Sequence, residues 1–143
     1  VRRRARRGGG AEVAGGAGSA IAAAVAAEQP AALRIFDVDG ARASGLADRL
    51  ADAHPGTEIH AGPPTLEGIE VLLNASPVGM LADARLPFEI ARMSRELVVF
   101  DAIVKPERTP LITLAEASGC TTVFGREMMR GQIARMVDFF YAA

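Results

Sequence analysis

From Ala14 onward, short apolar runs alternate with longer stretches whose apolar residues recur every three or four positions. The runs Leu33–Val38, Val71–Asn74, Leu97–Asp101 and Thr121–Phe124 read as buried strands, and Thr57–Ala61 as a weaker one. Ala17 to Glu28 reads as a helix with Ile21 and Val25 on one face, ended by Pro30. Ala41 to Ala53 is a second, with Ala43, Leu46, Ala47 and Leu50 at helical spacing and Pro55-Gly56 as its stop. A short helix is expected around Pro87 to Met93, and another after Pro110, running to Ser118-Gly119. A last helix is expected from about Glu127 to Tyr141, where Met129, Ile133, Met136, Val137 and Phe140 form a stripe that reads as core.

Strands that alternate with helices imply a parallel sheet with right-handed crossovers, so the loops after the strands share one edge. Asp37, Ser76, Asp101 and Gly125 all fall on that edge. The fold class expected is α/β, a Rossmann-like doubly wound parallel sheet of about six strands. Its signature is the small-residue stretch Ala14-Gly15-Gly16-Ala17-Gly18-Ser19-Ala20, with Asp37 nineteen residues beyond Gly18 at the end of a strand. Glycines let a backbone approach a pyrophosphate, the helix start offers free N–H groups, and a carboxylate about 20 residues on can take both ribose hydroxyls.

A strand should precede the glycine turn, but Gly8-Gly9-Gly10-Ala11-Glu12-Val13 is a poor one, so the first strand is expected to be degenerate. The chain divides into residues 1–13, a basic Gly/Arg-rich tail or damaged first strand, and residues 14–143, the dinucleotide-binding domain. The chain also opens on Val1, and the expectation is a truncation or a frame error just upstream of Ala14.

At 143 residues, half of them hydrophobic and 23% charged, the chain is long enough for one globular domain. The formal net charge of −1 is unevenly spread: Arg2, Arg3, Arg4, Arg6 and Arg7 place +5 in the first ten residues, leaving −6 for the rest. That tail has no aromatic side chains for base stacking and no helical face, so it reads as solvated or artefactual rather than as a nucleic-acid arm. Cys120 is the lone cysteine, expected as a buried small hydrophobe in a strand, which excludes a disulfide framework and a cysteine zinc site. His54 and His60 lack acidic or cysteine partners at ligand spacing and read as surface residues, so no metal is expected. The start imitates a signal peptide, but Glu12 and four glycines interrupt its apolar region, and no run reaches transmembrane length. A cytoplasmic protein with no nucleic-acid or membrane partner is expected, and the pattern leaves room for a homodimer.

Gly15-Gly16-Ala17-Gly18, Asn74-Ala75-Ser76-Pro77-Val78-Gly79-Met80, Asp101 with Pro106 and Thr109-Pro110-Leu111, and Gly125 through Met128 to Gln132 together resemble the shikimate/quinate dehydrogenase family. The resemblance is to its C-terminal nucleotide-binding domain and runs from Ala14 to the C-terminus. It implies an oxidoreductase that moves hydride between a nicotinamide and C3 of shikimate, quinate or dehydroshikimate. The family's catalytic lysine and aspartate belong to an N-terminal domain, which is expected to be missing here. The resemblance therefore implies no catalytic residue here, no activity from the chain alone, and a hydroxy-acid substrate only where a substrate domain is supplied.

By the same resemblance, Gly15, Gly16, Ala17 and Gly18 form the pyrophosphate loop, with Val13 in the place of its first glycine. Asp37 takes the strand-end position that decides the cofactor. Relatives that use NADP have Asn-Arg-Thr where this chain has Asp37-Val38-Asp39, and a carboxylate repels a 2′-phosphate, so NAD is expected over NADP. Asp39 reads as a helix cap before a ribose contact; Arg42 reads equally as an adenosine contact or as a solvated helix residue. Ser76, Pro77 and Gly79 correspond to the loop beside the nicotinamide ribose, Gly125 to a backbone contact with the nicotinamide amide, Met128 to packing near the ring, and Gln132 to a substrate contact. The family often has tyrosine at the position of Val104 and asparagine at that of Lys105. Two other readings stay open beside the dehydrogenase domain: a non-catalytic dinucleotide-binding module, and a degenerate remnant.

Overall fold

Leu33 and Ile35 are fully buried while Ala32, Arg34 and Phe36 between them are half-buried, the period of two that an extended strand imposes. They form β2 (Ala32–Phe36). The computed structural model describes residues 9–12 and 15–132. In chain order the remaining elements are β1 (Gly9–Glu12), α1 (Gly15–Ala27), α2 (Gly40–Ala53), β3 (Glu58–Ala61), β4 (Val71–Asn74), β5 (Val98–Asp101), α3 (Pro110–Ala117) and β6 (Thr121–Phe124). Residues 125–132 are helical and are called α4.

The six strands lie parallel in the order β3-β2-β1-β4-β5-β6. This is the order of a doubly wound dinucleotide-binding sheet, with its topological switch between β1 and β4. Adjacent residues of β4 show the two faces. Leu73 joins Ala22 and Ala26 of α1 and Ala43, Leu46, Ala47 and Leu50 of α2 in one core. Leu72 joins Val99, Leu97, Met93 and, from α3, Leu111 and Ala115 in the other. Alanines dominate α1 because a methyl-sized side chain lets the helix axis lie close to the sheet.

The expected first strand forms β1 over Gly9–Glu12, paired with β2 on one side and β4 on the other. The helix expected at Pro87–Met93 is absent: residues 82–97 contain no helix. Leu86, Phe88 and Ile90 pack on the second core at every other position, the spacing of extended chain, before Met93 buries itself there. Apolar burial that looked helical is therefore made by an extended loop laid across the sheet. Met129, expected in a core-facing stripe, is 44% exposed. Ile133, Met136, Val137 and Phe140 lie outside the described residues.

Cys120 stands just before β6 and is half-buried, with its thiol 3.2 Å from the carbonyl of Ser94. His54 is the C-cap of α2 and donates its N–H to the Leu50 carbonyl at 2.9 Å, while His60 Nε2 accepts Arg34 Nε–H at 3.2 Å. No helix among the described residues is long and apolar enough to cross a membrane.

Candidate functional site

At the switch point the chain leaves β1 and β4 in opposite directions, which opens a crevice beyond the strand ends. A cleft of about 650 Å³ occupies it. One wall is Ala17 in the first turn of α1 with Ala75, Ser76 and Pro77 after β4. The other is Ile103 and Val104 after β5 with Met128 of α4. The first N–H groups of α1 have no intrahelical acceptors, and the helix dipole adds partial positive charge at that end.

The loops around the cleft are fixed by a buried polar network. Register places Asn74 opposite Asp101 at the ends of β4 and β5. Asn74 Nδ2 donates to Asp101 Oδ1 at 3.2 Å, and Asn74 Oδ1 accepts both the backbone N–H and the hydroxyl of Ser76, at 3.0 and 2.8 Å. Asp101 Oδ1 also accepts the N–H of Ile103 at 3.1 Å. Asp101 Oδ2 accepts the Thr109 hydroxyl at 2.7 Å, and Thr109 Oγ1 in turn accepts the N–H of Ile112, capping α3. Burial pushes the Asp101 carboxyl above the ordinary carboxylate value, and the donors from Thr109, Ile103 and Asn74 oppose that shift without cancelling it.

A second hollow, about 270 Å³, lies beside the end of β2 and is lined by Phe36, Asp37, Gly40, Ser44 and Gly62 among others. Asp37 is 6% exposed. Its Oδ1 accepts the N–H of Asp39 at 2.9 Å, while its buried Oδ2 has no hydrogen-bond partner among the described residues. Arg42 Nη1 stands 3.8 Å from Oδ2, beyond hydrogen-bond length. Asp39 is the N-cap of α2, its side chain accepting the N–H groups of Ala41 and Arg42. Arg42 is more than half exposed and bridges Asp37 and Asp39 at 3.8 and 3.9 Å, so it is neither free nor buried.

The residues singled out from sequence distribute unequally over these hollows. Gly15, Gly16, Ala17 and Gly18 form the first turn of α1, and a Cβ at Gly16 would meet nothing within 4 Å. Ser76, Pro77 and Met128 line the cleft. Ser76 commits its hydroxyl hydrogen to Asn74, so toward the cleft its oxygen can offer only a lone pair. Gly79, with φ of +94°, packs against Pro110 and Thr109 rather than lining the cleft, and its positive φ is the reason for glycine there. Gly125 opens α4 in close contact with the loop after β5, where a Cβ would stand 2.4 Å from the Ala102 carbonyl oxygen. Gln132 is an exposed residue of α4 and does not line the cleft. Val13 lies outside the described residues.

Sequence reasoning did not foresee that Asn74, Asp101 and Thr109 form one network. The available signal was positional: a polar residue closing each of two apolar strands, and Thr-Pro opening the next helix.

The protein-family models searched give no match to the chain. A shikimate dehydrogenase (NADP(+)) of Sphingopyxis alaskensis is 35% identical over 78 residues, which cover 54% of this chain and 28% of that protein. The solved quinate dehydrogenase from Corynebacterium glutamicum in complex with NAD superposes with a TM-score of 0.83 at 27% identity, covering 98% of this chain and 51% of that one. The ligand-free 5-ketofructose reductase of Gluconobacter sp. strain CHM43 gives a TM-score of 0.84 at 29% identity, over 97% of this chain and 52% of its own. The chain thus spans about half the length of these solved relatives and 28% of the curated one. With the strand order, the glycine-rich helix start and the strand-end acid already in place, the chain is similar in sequence and in fold to the Rossmann-like dinucleotide-binding portion of shikimate and quinate dehydrogenases.

Proposed function

We propose that this chain binds NAD across the switch point and serves as the cofactor half of a dehydrogenase acting on a hydroxy acid of the quinate or shikimate type. The observation that carries the choice of NAD is Asp37: a buried carboxyl whose Oδ2 has no hydrogen-bond donor among the described residues, at a hollow beside the end of β2. Such an atom has lost its water without gaining a partner, and a ribose hydroxyl would supply the missing donor. A 2′-phosphate would instead meet a carboxylate in a desolvated site.

The other residues fit the same ligand. The first turn of α1 offers N–H groups to the pyrophosphate, and the open space at Gly16 leaves room for its approach. Ser76, Pro77 and Met128 would border the nicotinamide, with the Asn74–Asp101–Thr109 network holding the two loops apart at fixed width. The nicotinamide supplies the hydride chemistry when bound. The chain's own residues bind, orient and exclude water.

Proton transfer is a separate requirement. Among the described residues no carboxylate or imidazole lines the cleft, and its one ionisable side chain is Lys105, so any carboxylate or imidazole partner in moving the substrate's proton has to come from outside them. The isolated chain is expected to bind NAD without turning over.

A thermal melt of the full chain with and without millimolar NAD, and with NADP in parallel, tests this reading. Ligand at 100 times its Kd stabilises the folded state by about 2.7 kcal/mol, enough for an upward shift of several degrees. A shift with NAD alone is expected. An equal or larger shift with NADP would remove Asp37 from the ribose, and no shift with either would favour the degenerate-remnant reading.

A further inference from the structure

Lys105 is the only lysine in the chain and, among the described residues lining the switch-point cleft, the only ionisable one. The arginines on the neighbouring loops are already engaged. Arg85 holds Asp83 through two bonds of 2.9 and 2.8 Å, Arg108 pairs with Glu116, and Arg126 Nη1 lies 2.6 Å from Glu107. The exposed Lys105 ammonium has no such partner among the described residues.

Its main chain is held in place. The Lys105 carbonyl accepts the N–H of Leu81 at 3.4 Å, tying the loop after β5 to the loop after β4 at the cleft's rim. The side chain therefore starts from a fixed anchor over a space walled by alanine, proline, isoleucine and methionine. Apolar walls lengthen the reach of a charge, no acidic side chain among the described residues lines this cleft to neutralise it, and the amino end of α1 adds partial charge of the same sign.

We propose that Lys105 is the anion-anchoring residue of this cleft, its ammonium pairing with a negatively charged group on the ligand held there. The inference rests on the dinucleotide reading above. That group has two chemical sources: a phosphate of the dinucleotide, or the carboxylate of a hydroxy acid bound beside the nicotinamide. A lysine on a flexible stem acts toward either as a point charge.

Because the chain has one ε-amino group, competitive acetylation reports on it alone. The full chain is treated with trace acetic anhydride, the α-amino terminus serving as the internal reference, in four arms: no ligand, NAD, quinate, and NAD with quinate. Slower acetylation of Lys105 is expected in at least one ligand arm. Protection by NAD alone assigns the phosphate, and protection that requires quinate assigns the carboxylate. Unchanged acetylation in every arm, with the thermal melt showing NAD bound, overturns the proposal and leaves the dinucleotide reading standing. A melt that NAD does not shift overturns both.

A second measurement guards against indirect protection. Lys105→Met is expected to weaken the protecting ligand by about tenfold, an effect that shrinks at high salt, while Lys105→Arg retains most of the affinity. Equal affinity for Lys105→Met and the unaltered chain would also overturn the assignment.

Discussion

Thr109 gives its hydroxyl proton to Asp101 Oδ2 at 2.7 Å and accepts the N–H of Ile112 on the same oxygen at 3.2 Å, so one side chain both partners a buried carboxyl and caps α3. The start of α3 and the end of β5 are thereby a single unit. Thr109→Val keeps the shape and removes both bonds. It is expected to cost about 2–4 kcal/mol, the sum of a lost cap and an unpartnered buried acceptor. Thr109→Ser, which keeps the oxygen, should cost less than about 1 kcal/mol. Urea unfolding of the two variants checks this, and equal losses would mean that the methyl packing matters more than the hydroxyl.

The Asp101 carboxyl gives the fold a pH dependence of definite sign. Its value is raised in the folded chain, chiefly by burial, so the folded state holds this proton more tightly than the unfolded one. The stabilisation is complete below the unfolded carboxyl value, about 3.9, and is lost as pH rises through the folded value. The stability of the unaltered chain relative to Asp101→Asn should therefore fall as pH rises from that region toward neutrality. Urea titrations of both proteins at several pH values give the difference; one that grows with pH would reverse the sign argued here.

Two glycines should respond oppositely to alanine. At Gly125 a Cβ would stand 2.4 Å from the Ala102 oxygen, so the turn into α4 must shift, at a cost of about 1–3 kcal/mol. At Gly16 nothing lies within 4 Å, so Gly16→Ala should leave stability within about 1 kcal/mol, with helix propensity favouring alanine. The added methyl would stand where a pyrophosphate must approach, so Gly16→Ala should keep its melting temperature and lose NAD binding. Melts with and without NAD separate the two effects.

Asp37→Asn keeps an acceptor for the Asp39 N–H and removes the charge. NAD affinity is expected to fall about tenfold, the share a charge-assisted hydrogen bond contributes, while NADP affinity holds or rises. Isothermal titration with both nucleotides measures the ratio. An unchanged ratio would mean that the carboxyl does not face the ribose.

The strands themselves were largely legible because parallel strands buried on both faces are continuous apolar runs, as in Val71-Leu72-Leu73 and Val98-Val99-Phe100. The capping role of Asp39 was legible too, since an aspartate before an alanine-rich helix has few other uses. Pro87–Met93 was misread because Leu86, Ile90 and Met93 recur at helical spacing, while Leu86, Phe88 and Ile90 alternate as in extended chain, and over so short a stretch the two patterns overlap. Gly79 was placed in the loop after β4, but its packing against Pro110 joins that loop to the start of α3, which no local pattern encodes. The bond between Asn74 and Asp101 depends on strand register, which exists only once the sheet has formed.

β1 has a consequence for how the molecule comes apart. The strands β3 and β2 on one side and β4, β5 and β6 on the other are joined in the sheet through its four residues, Gly9-Gly10-Ala11-Glu12. Two of these have no side chain to bury, so this seam depends heavily on amide-to-carbonyl bonds, and among the strands paired on both sides it is there that amide deuterium should enter earliest. Because α1 and the loop after β4 stand on opposite sides of the same seam, a nucleotide bridging them would work as a clasp. Deuterium uptake at β1 would then slow with ligand concentration before any change appeared in the outer strands.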